Sequence, residues 1–388
     1  MTLEEYIAHL NSLAFWREFT FAQNKFSPRP GNELELADNL VWFGARAYIL
    51  QLKQREDPTN DPAIERTWFQ KKVVGDATRQ IRDSLRFLAE NPEIRITNQR
   101  GHTFAIRGDT LAKVTKIVVF LPGPALPEDC WRKRYHVSQT AGFIHVLAAN
   151  DYLGILENLR VPGDIARYFA YREEVAPNLE ATETDLSEAD IMGAFLNEEY
   201  MPTPQSHASL RYLVQDLDAF DLSNLLGNLH EHINLADKPY DYYRILQEFA
   251  QVPRSVWREI KLRFMKSRDA ARDAEFTLPF RLTFPETDCT FMIAPLDPSL
   301  PITGTEGEKA RLTGLKNFTD AAMYLARSTK GVGILISREG EYFYIDWCLI
   351  DAPWQSDPAM EARLAKSNPF RPANEKSMNS FLFRLPPT

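Results

Sequence analysis

Three side chains near the N-terminus have the types that phosphate chemistry needs: Asp38, Gln51 and Lys53. The segment ADNLVWFGARAYILQLK (37–53) reads as two β-rich runs with a short break between them, the pattern of a hairpin. A turn centred on Ala45-Arg46 pairs 38 with 53 and 40 with 51. Asp38, Gln51 and Lys53 then share one face at the same open end. Val41, Phe43, Leu50 and Leu52 point the other way, toward a core.

Such a face suits hydrolysis of a phosphodiester. Mg²⁺ (or Mn²⁺ in its place) is a hard cation that takes oxygen ligands. The Asp38 carboxylate and the Gln51 amide oxygen supply two. The backbone carbonyl of residue 52, water and the phosphate itself complete the shell. The ion lowers the pKa of a bound water and offsets charge on the phosphoryl oxygens. Lys53 orients that water or stabilises the charged transition state. Among upstream carboxylates Glu35 and Glu33 lie nearest in sequence, with Glu18 a third candidate. The competing reading is a solvated hairpin edge carrying an Asp–Lys cross-strand pair.

The stretch ELADNLVWFGARAYILQLKQRE (35–56) resembles the motif region of the PD-(D/E)xK nuclease superfamily, the restriction-endonuclease-like fold. That resemblance implies an acidic residue on one strand, an (E/D/Q)-x-K triplet on the next, a helix packed behind them and a further strand. Asp38 matches the first position and Gln51-Leu52-Lys53 the triplet; residues 64–88 match the helix and 113–121 the strand. The likeness covers roughly residues 1–125, extending toward 175. It is similar in style to nuclease domains of prokaryotic anti-phage and restriction systems. It implies metal-dependent cleavage of nucleic acid, DNA favoured over RNA, with a second copy of the chain or a defence-system protein as partner. Gln51 departs from the commoner Glu or Asp, and a neutral amide holds a divalent ion less tightly. Two other readings follow: an inactive nuclease fold that recognises nucleic acid or a protein, and a sensor whose C-terminal domain gates the N-terminal one.

The surrounding pattern supplies the elements that position these residues. Residues 2–12 read as an amphipathic helix and 15–23 as a strand. After EDPTNDP the period becomes helical, with apolar residues at 73, 74, 77, 81, 85 and 88. Lys71, Lys72, Arg79, Arg82 and Arg86 on this helix are candidates for tracking a phosphate backbone, diluted by Glu65, Asp76 and Asp83; Gln80 is a candidate for positioning Lys53. Strands follow within 94–121 and at 142–149, then helices from 151. The acidic stretch 173–199 reads as a solvated boundary. The expected class is α/β: a restriction-endonuclease-like domain (1–175), a mainly helical middle (176–272) and an α+β C-terminal domain (273–388). The last is expected to turn a hairpin at Glu339-Gly340.

Bulk numbers exclude several classes. The chain has 388 residues, 44% hydrophobic and 25% charged. No apolar run is long enough for a membrane span, and the N-terminus lacks the basic and apolar parts of a signal peptide; the expected location is cytoplasmic. Cys130, Cys289 and Cys348 are too few and too scattered for a disulfide framework or a zinc site. Net charge is −8, but residues 1–125 carry 17 Lys and Arg against 15 Asp and Glu, so that third is the better match for a polyanion. His230 and His232, two apart on a helix, cannot chelate together. His145 in an apolar strand reads as a core residue. No phosphate-binding lysine loop, G-x-G-x-x-G or G-x-S-x-G pattern occurs.

Overall fold

The computed structural model describes residues 2–22, 25–29, 32–182, 186–232, 239–275 and 277–372; the side chains of 25–35 lie outside the described set. The chain is mixed α/β and divides into two compact units, Met1–Arg211 and Tyr212–Thr388. Residues 176–211, expected in a separate middle segment, fall in the first unit; 212–272 fall in the second.

The first unit opens with α1 (Leu3–Ala14), capped by Thr2, whose hydroxyl accepts from the Glu5 amide while Glu5 returns a bond to the Thr2 amide. The expected strand over 15–23 is shorter. A helical turn, Trp16–Phe19, comes first, and β1 is Thr20–Ala22. Then come β2 (Asn39–Phe43) and β3 (Arg46–Gln54). The next element is a 29-residue helix, α2 (62–90), built from Pro62–Trp68, a π-helical Phe69–Asp76 and Ala77–Glu90. It starts on Pro62 behind an Asp61 cap that accepts from the amides of Ala63 and Ile64. After a small hairpin of Ile94–Thr97 and Thr103–Ile106 come β4 (Lys113–Leu121), β5 (Tyr135–Ser138) and β6 (Gly142–Ala148). Three helices end the unit's main frame: α3 (Ala149–Leu159), α4 (Pro162–Thr182) and α5 (Glu188–Leu196).

The six strands form one sheet in the order β1-β2-β3-β4-β6-β5. β3 pairs antiparallel with β2 and parallel with β4, and β4 pairs parallel with β6. Parallel neighbours need a crossover, and α2 supplies it between β3 and β4. Both faces are consequently covered. Leu40, Trp42, Ala47 and Ile49 lie in a core with Phe69, Val73, Ala77 and Ile81 of α2. On the other face Tyr48 packs on Phe15 (ring centroids 5.2 Å apart) and on Phe169 of α4 (6.1 Å).

This corrects the expected polar face: Leu40 and Ile49 are as deeply buried as Val41 and Leu50, and Trp42 is largely buried too. The turn also moves. Phe43 pairs with Arg46, so the loop is Gly44-Ala45. Gly44 takes a φ of +56°, which a residue without a Cβ adopts at little cost.

The acidic stretch is not simply solvated. The Arg172 side chain is fully buried in α4 and its Nε lies 2.7 Å from Glu188 Oε1. Arg172 also donates to the Arg134 carbonyl at 2.9 Å and lies 3.1 Å from His145 Nδ1, while the Tyr168 hydroxyl donates to Glu188. Since a guanidinium only donates, His145 Nδ1 accepts. Burial, with Arg172 beside it, holds His145 far below its usual pKa, so it stays neutral.

The second unit has a four-stranded sheet, in spatial order β7 (Phe280–Phe284), β8 (Cys289–Pro295), β9 (Lys330–Glu339) and β10 (Tyr342–Asp351). A helix, Gly304–Ala326, crosses from β8 to parallel β9. It sits so close that a Cβ at Gly333 would stand 2.1 Å from Thr319 Oγ1. Glu339 pairs with Tyr342, so the last hairpin turns at Gly340-Glu341, one residue later than expected.

Two outcomes test the buried network. Arg172→Met leaves Glu188 buried without its cation and is expected to remove about 3–5 kcal/mol of stability in urea unfolding; an unchanged midpoint would show the pair to be dispensable. Burial, reinforced by Glu188, pushes the Asp151 carboxyl up to about 6 against the pull of Arg172 and Arg134. A folded pKa above the unfolded value penalises the ionised form, so the penalty is absent below the unfolded pKa and complete above the folded one. Asp151→Asn is therefore expected to raise the melting temperature at neutral pH. That gain should shrink as pH falls through about 6. A gain that persists at low pH would refute this cause.

Candidate active site

The observed register, with Asn39 opposite Leu50, places Asp38 across from Gln51 rather than Lys53. Asp38 lies one residue before β2 begins, where the ladder would otherwise continue. Its carboxylate takes over that role: Oδ2 accepts from the Leu52 amide at 2.6 Å. Lys53 Nζ lies 3.7 Å from the same oxygen and donates to the Leu52 carbonyl at 3.1 Å. The three sequence candidates Asp38, Gln51 and Lys53 therefore come together at the carboxyl end of β3. That edge is where a doubly covered α/β sheet opens to ligands.

Gln51 is 3% exposed, and its buried Oε1 has no hydrogen-bond partner among the described residues. An unsatisfied buried amide oxygen costs about 1–3 kcal/mol. Asp38 and Lys53 are partly buried, with side chains 13% and 15% exposed. Burial lifts the Asp38 carboxyl above its ordinary pKa, against the opposing pull of the Lys53 ammonium and the Leu52 amide. The site thus holds a strained acid, an orphan oxygen and one cation. Among the described residues no group of three or more His, Cys, Asp and Glu is placed to hold a metal ion. The donors that converge here are of a different kind, one carboxylate and one amide oxygen. That set suits a Mg²⁺ that keeps most of its shell as water and substrate phosphate. The Leu52 carbonyl, expected as a ligand, is already engaged by Lys53, though a carbonyl keeps a second lone pair.

A buried polar chain anchors the strand next to Asp38. Asn11 of α1 donates to Asn39 Oδ1 at 2.7 Å, and the Tyr152 hydroxyl of α3 donates to Asn11 Oδ1 at 2.6 Å. Neither asparagine stood out in the sequence, because only the packing of α1 and α3 on one face brings them together.

The upstream carboxylates fare differently. Glu18 is buried and pairs with Arg100 at 2.7 Å. It precedes Thr20, which pairs with Val41, so it belongs to the end of β1 away from Asp38. Glu35 ends a short strand, Asn32–Glu35, and pairs through its backbone with Lys25; its side chain and that of Glu33 lie outside the described residues. Asp76 is a carboxylate the sequence placed only as a diluting charge. Lys53 is among the cations that hold its pKa down, after Lys72 and Arg79, so it lies within the electrostatic reach of the site.

The cations of α2 line its outer surface, and most are already paired. Lys72 Nζ and Arg79 stand 2.9 and 3.0 Å from Asp76, and Arg82 and Arg86 stand 3.5 and 3.2 Å from Asp83. Such exposed pairs contribute little to stability and are easily exchanged for another anion. Lys71 is exposed on the same helix. Gln80 is exposed too, while its backbone carbonyl takes the Ser84 hydroxyl.

Comparison of the chain with protein-family models, with curated proteins and with solved structures returns no match in any of the three. Among the described residues no helix is long and apolar enough to cross a membrane.

Gln51→Met tests whether the orphan oxygen is a cost to the fold. Replacing it with an apolar chain of similar size is expected to stabilise the metal-free protein by about 1 kcal/mol, or roughly 2–4 °C. A lower melting temperature in EDTA would show that the oxygen has a structural partner.

Proposed function

We propose that the chain is a divalent-metal-dependent nuclease that hydrolyses phosphodiester bonds of nucleic acid, DNA in the first instance. The observation that carries this reading is the buried Gln51 Oε1, without a hydrogen-bond partner among the described residues, on the strand that carries Lys53 and opposite Asp38. A bound ion accounts for a buried acceptor that no protein group satisfies, and the neighbouring Asp38 carboxylate makes a cation the fitting occupant here. The order of elements adds support: helix, strand, hairpin, long crossover helix, and a strand parallel to the one bearing Gln51 and Lys53. Of these, the two strands of the hairpin, the helix behind them and the further strand are what the PD-(D/E)xK resemblance implies.

In this reading Asp38 and Gln51 would hold Mg²⁺ or Mn²⁺, and the ion would supply Lewis acidity toward water and the phosphoryl oxygens. The chain's own groups do the rest. The Leu52 amide fixes the Asp38 carboxylate in place. Lys53, tethered to the Leu52 carbonyl, sets a positive charge next to the incoming phosphate and stabilises negative charge there. The helices on both faces of β3 exclude water from everything except the strand end, which strengthens these electrostatic contacts.

The test is plasmid and oligonucleotide cleavage with Mg²⁺ or Mn²⁺ by wild type, Asp38→Ala and Lys53→Ala. Wild type is expected to cleave, EDTA to stop it, and each variant to lose at least about a hundred-fold in rate. Equal activity in all three proteins would place the chemistry elsewhere. Binding without cleavage under every metal condition would replace this reading with that of an inactive nuclease fold that recognises nucleic acid.

A further inference from the structure

Beside the candidate site lies a groove of about 390 Å³, lined by Arg55 and by Ile64, Thr67, Trp68, Lys71 and Lys72 of α2. It adjoins the site through two routes. Arg55 follows Lys53 by two residues, just past the end of β3, so their backbones are at most about 7 Å apart. Lys72 pairs with Asp76, the carboxylate that feels Lys53.

The groove combines an aromatic face with fixed and mobile cations. The Trp68 ring is half-buried and packed against the core, so its position is set from below. The Arg55 guanidinium stands 5.9 Å from the centre of that ring. Two partners hold it: Arg55 Nε donates to the Asp57 carbonyl at 2.9 Å and lies 2.8 Å from Glu65 Oε1, and the Glu65 side chain is wholly buried. Glu65 also accepts from the Thr59 amide at 2.8 Å and its hydroxyl at 3.0 Å, which pins the loop after β3 onto α2. Lys71 and Lys72 lie one helical turn beyond Trp68 and are exposed.

From this we infer that the groove is a subsite for an unpaired stretch of nucleic acid flanking the scissile phosphate, with one base stacked on Trp68 and the adjoining phosphates on Arg55, Lys71 and Lys72. The inference rests on the nuclease reading for its scissile phosphate but not for its binding chemistry. Aromatic faces between cations hold single strands, because every base offers a π-face once unstacked. A duplex hides those faces and would use the cations alone.

Binding can be read without cleavage. Fluorescence anisotropy in EDTA compares a labelled oligothymidylate with a duplex of equal length, for wild type, Trp68→Ala, Trp68→Phe and Lys71→Glu. The expected result is tighter binding of the single strand by wild type and a loss of about ten-fold or more in Trp68→Ala. Trp68→Phe should retain most of the affinity, and duplex binding should be unchanged in both. Lys71 is exposed, so Lys71→Glu tests the cations in a protein whose folding is not at stake; it should weaken single-strand binding and flatten its salt dependence. Equal single-strand affinity in wild type and Trp68→Ala, or a duplex preference that Trp68 does not affect, overturns the inference even if cleavage depends on Asp38. Conversely, Trp68-dependent single-strand binding by a protein that cleaves nothing keeps the subsite and rejects the nuclease.

Discussion

The constraint on which the first unit depends is that both faces of β3 are buried. The α2 crossover covers one face and α1, α3 and α4 cover the other, so Ile49 and Leu50, neighbours pointing in opposite directions, are equally inaccessible. Charge cannot be placed along such a strand without a large desolvation cost. Polar chemistry is confined to the strand's end, and that is where Gln51, Lys53 and the carboxylate of Asp38 lie. The same burial raises the Asp38 pKa and encloses the Gln51 oxygen, for which the described residues offer no hydrogen-bond donor. The electrostatic tension of the site is thus a product of the sheet that holds it.

Two physical kinds of ion pair stand out among the described residues. Arg172 with Glu188, and Arg55 with Glu65, have a fully buried member and extra hydrogen bonds to carbonyls, amides or hydroxyls. Such pairs specify geometry more than they add stability: one holds α4 to α5, the other aims Arg55 at the face of Trp68. The pairs along α2, such as Lys72 with Asp76 and Arg86 with Asp83, are exposed and weak. Their use is to keep cations on the surface until a stronger anion arrives. Asp38 and Lys53 belong to neither class. At 3.7 Å Lys53 is close enough to act on the Asp38 carboxyl, yet each makes its nearest bond to the backbone of residue 52.

Much of the local pattern was legible in the sequence. Alternation in NLVWF and RAYILQLK marked the two strands, and the apolar spacing of 73, 77, 81 and 88 marked the buried side of α2. The parity of a strand also survives an error in its turn. Moving the loop from Ala45-Arg46 to Gly44-Ala45 shifts the register by two residues. Asp38 and Gln51 therefore stay on the same side although their partners change. Trp16–Phe19 was misread as strand because its aromatic, β-prone composition is local, while its helical turn follows from packing on the sheet.

What the sequence by itself determined is the identity and order of the chemical groups: an acid ahead of one strand, an amide and an amine two apart on the next, and a basic helix after them. Periodicity carries that information because it depends only on neighbours in the chain. Tertiary structure decided which of those groups meet and in what state. It turned an expected open face into a closed one and gave Glu18 to Arg100. It also coupled Asn39 to Asn11, 28 residues away, and Asn11 to Tyr152, 141 residues away. Burial depth, pKa and the isolation of the Gln51 oxygen arise from elements far apart in sequence, and no local spacing encodes them.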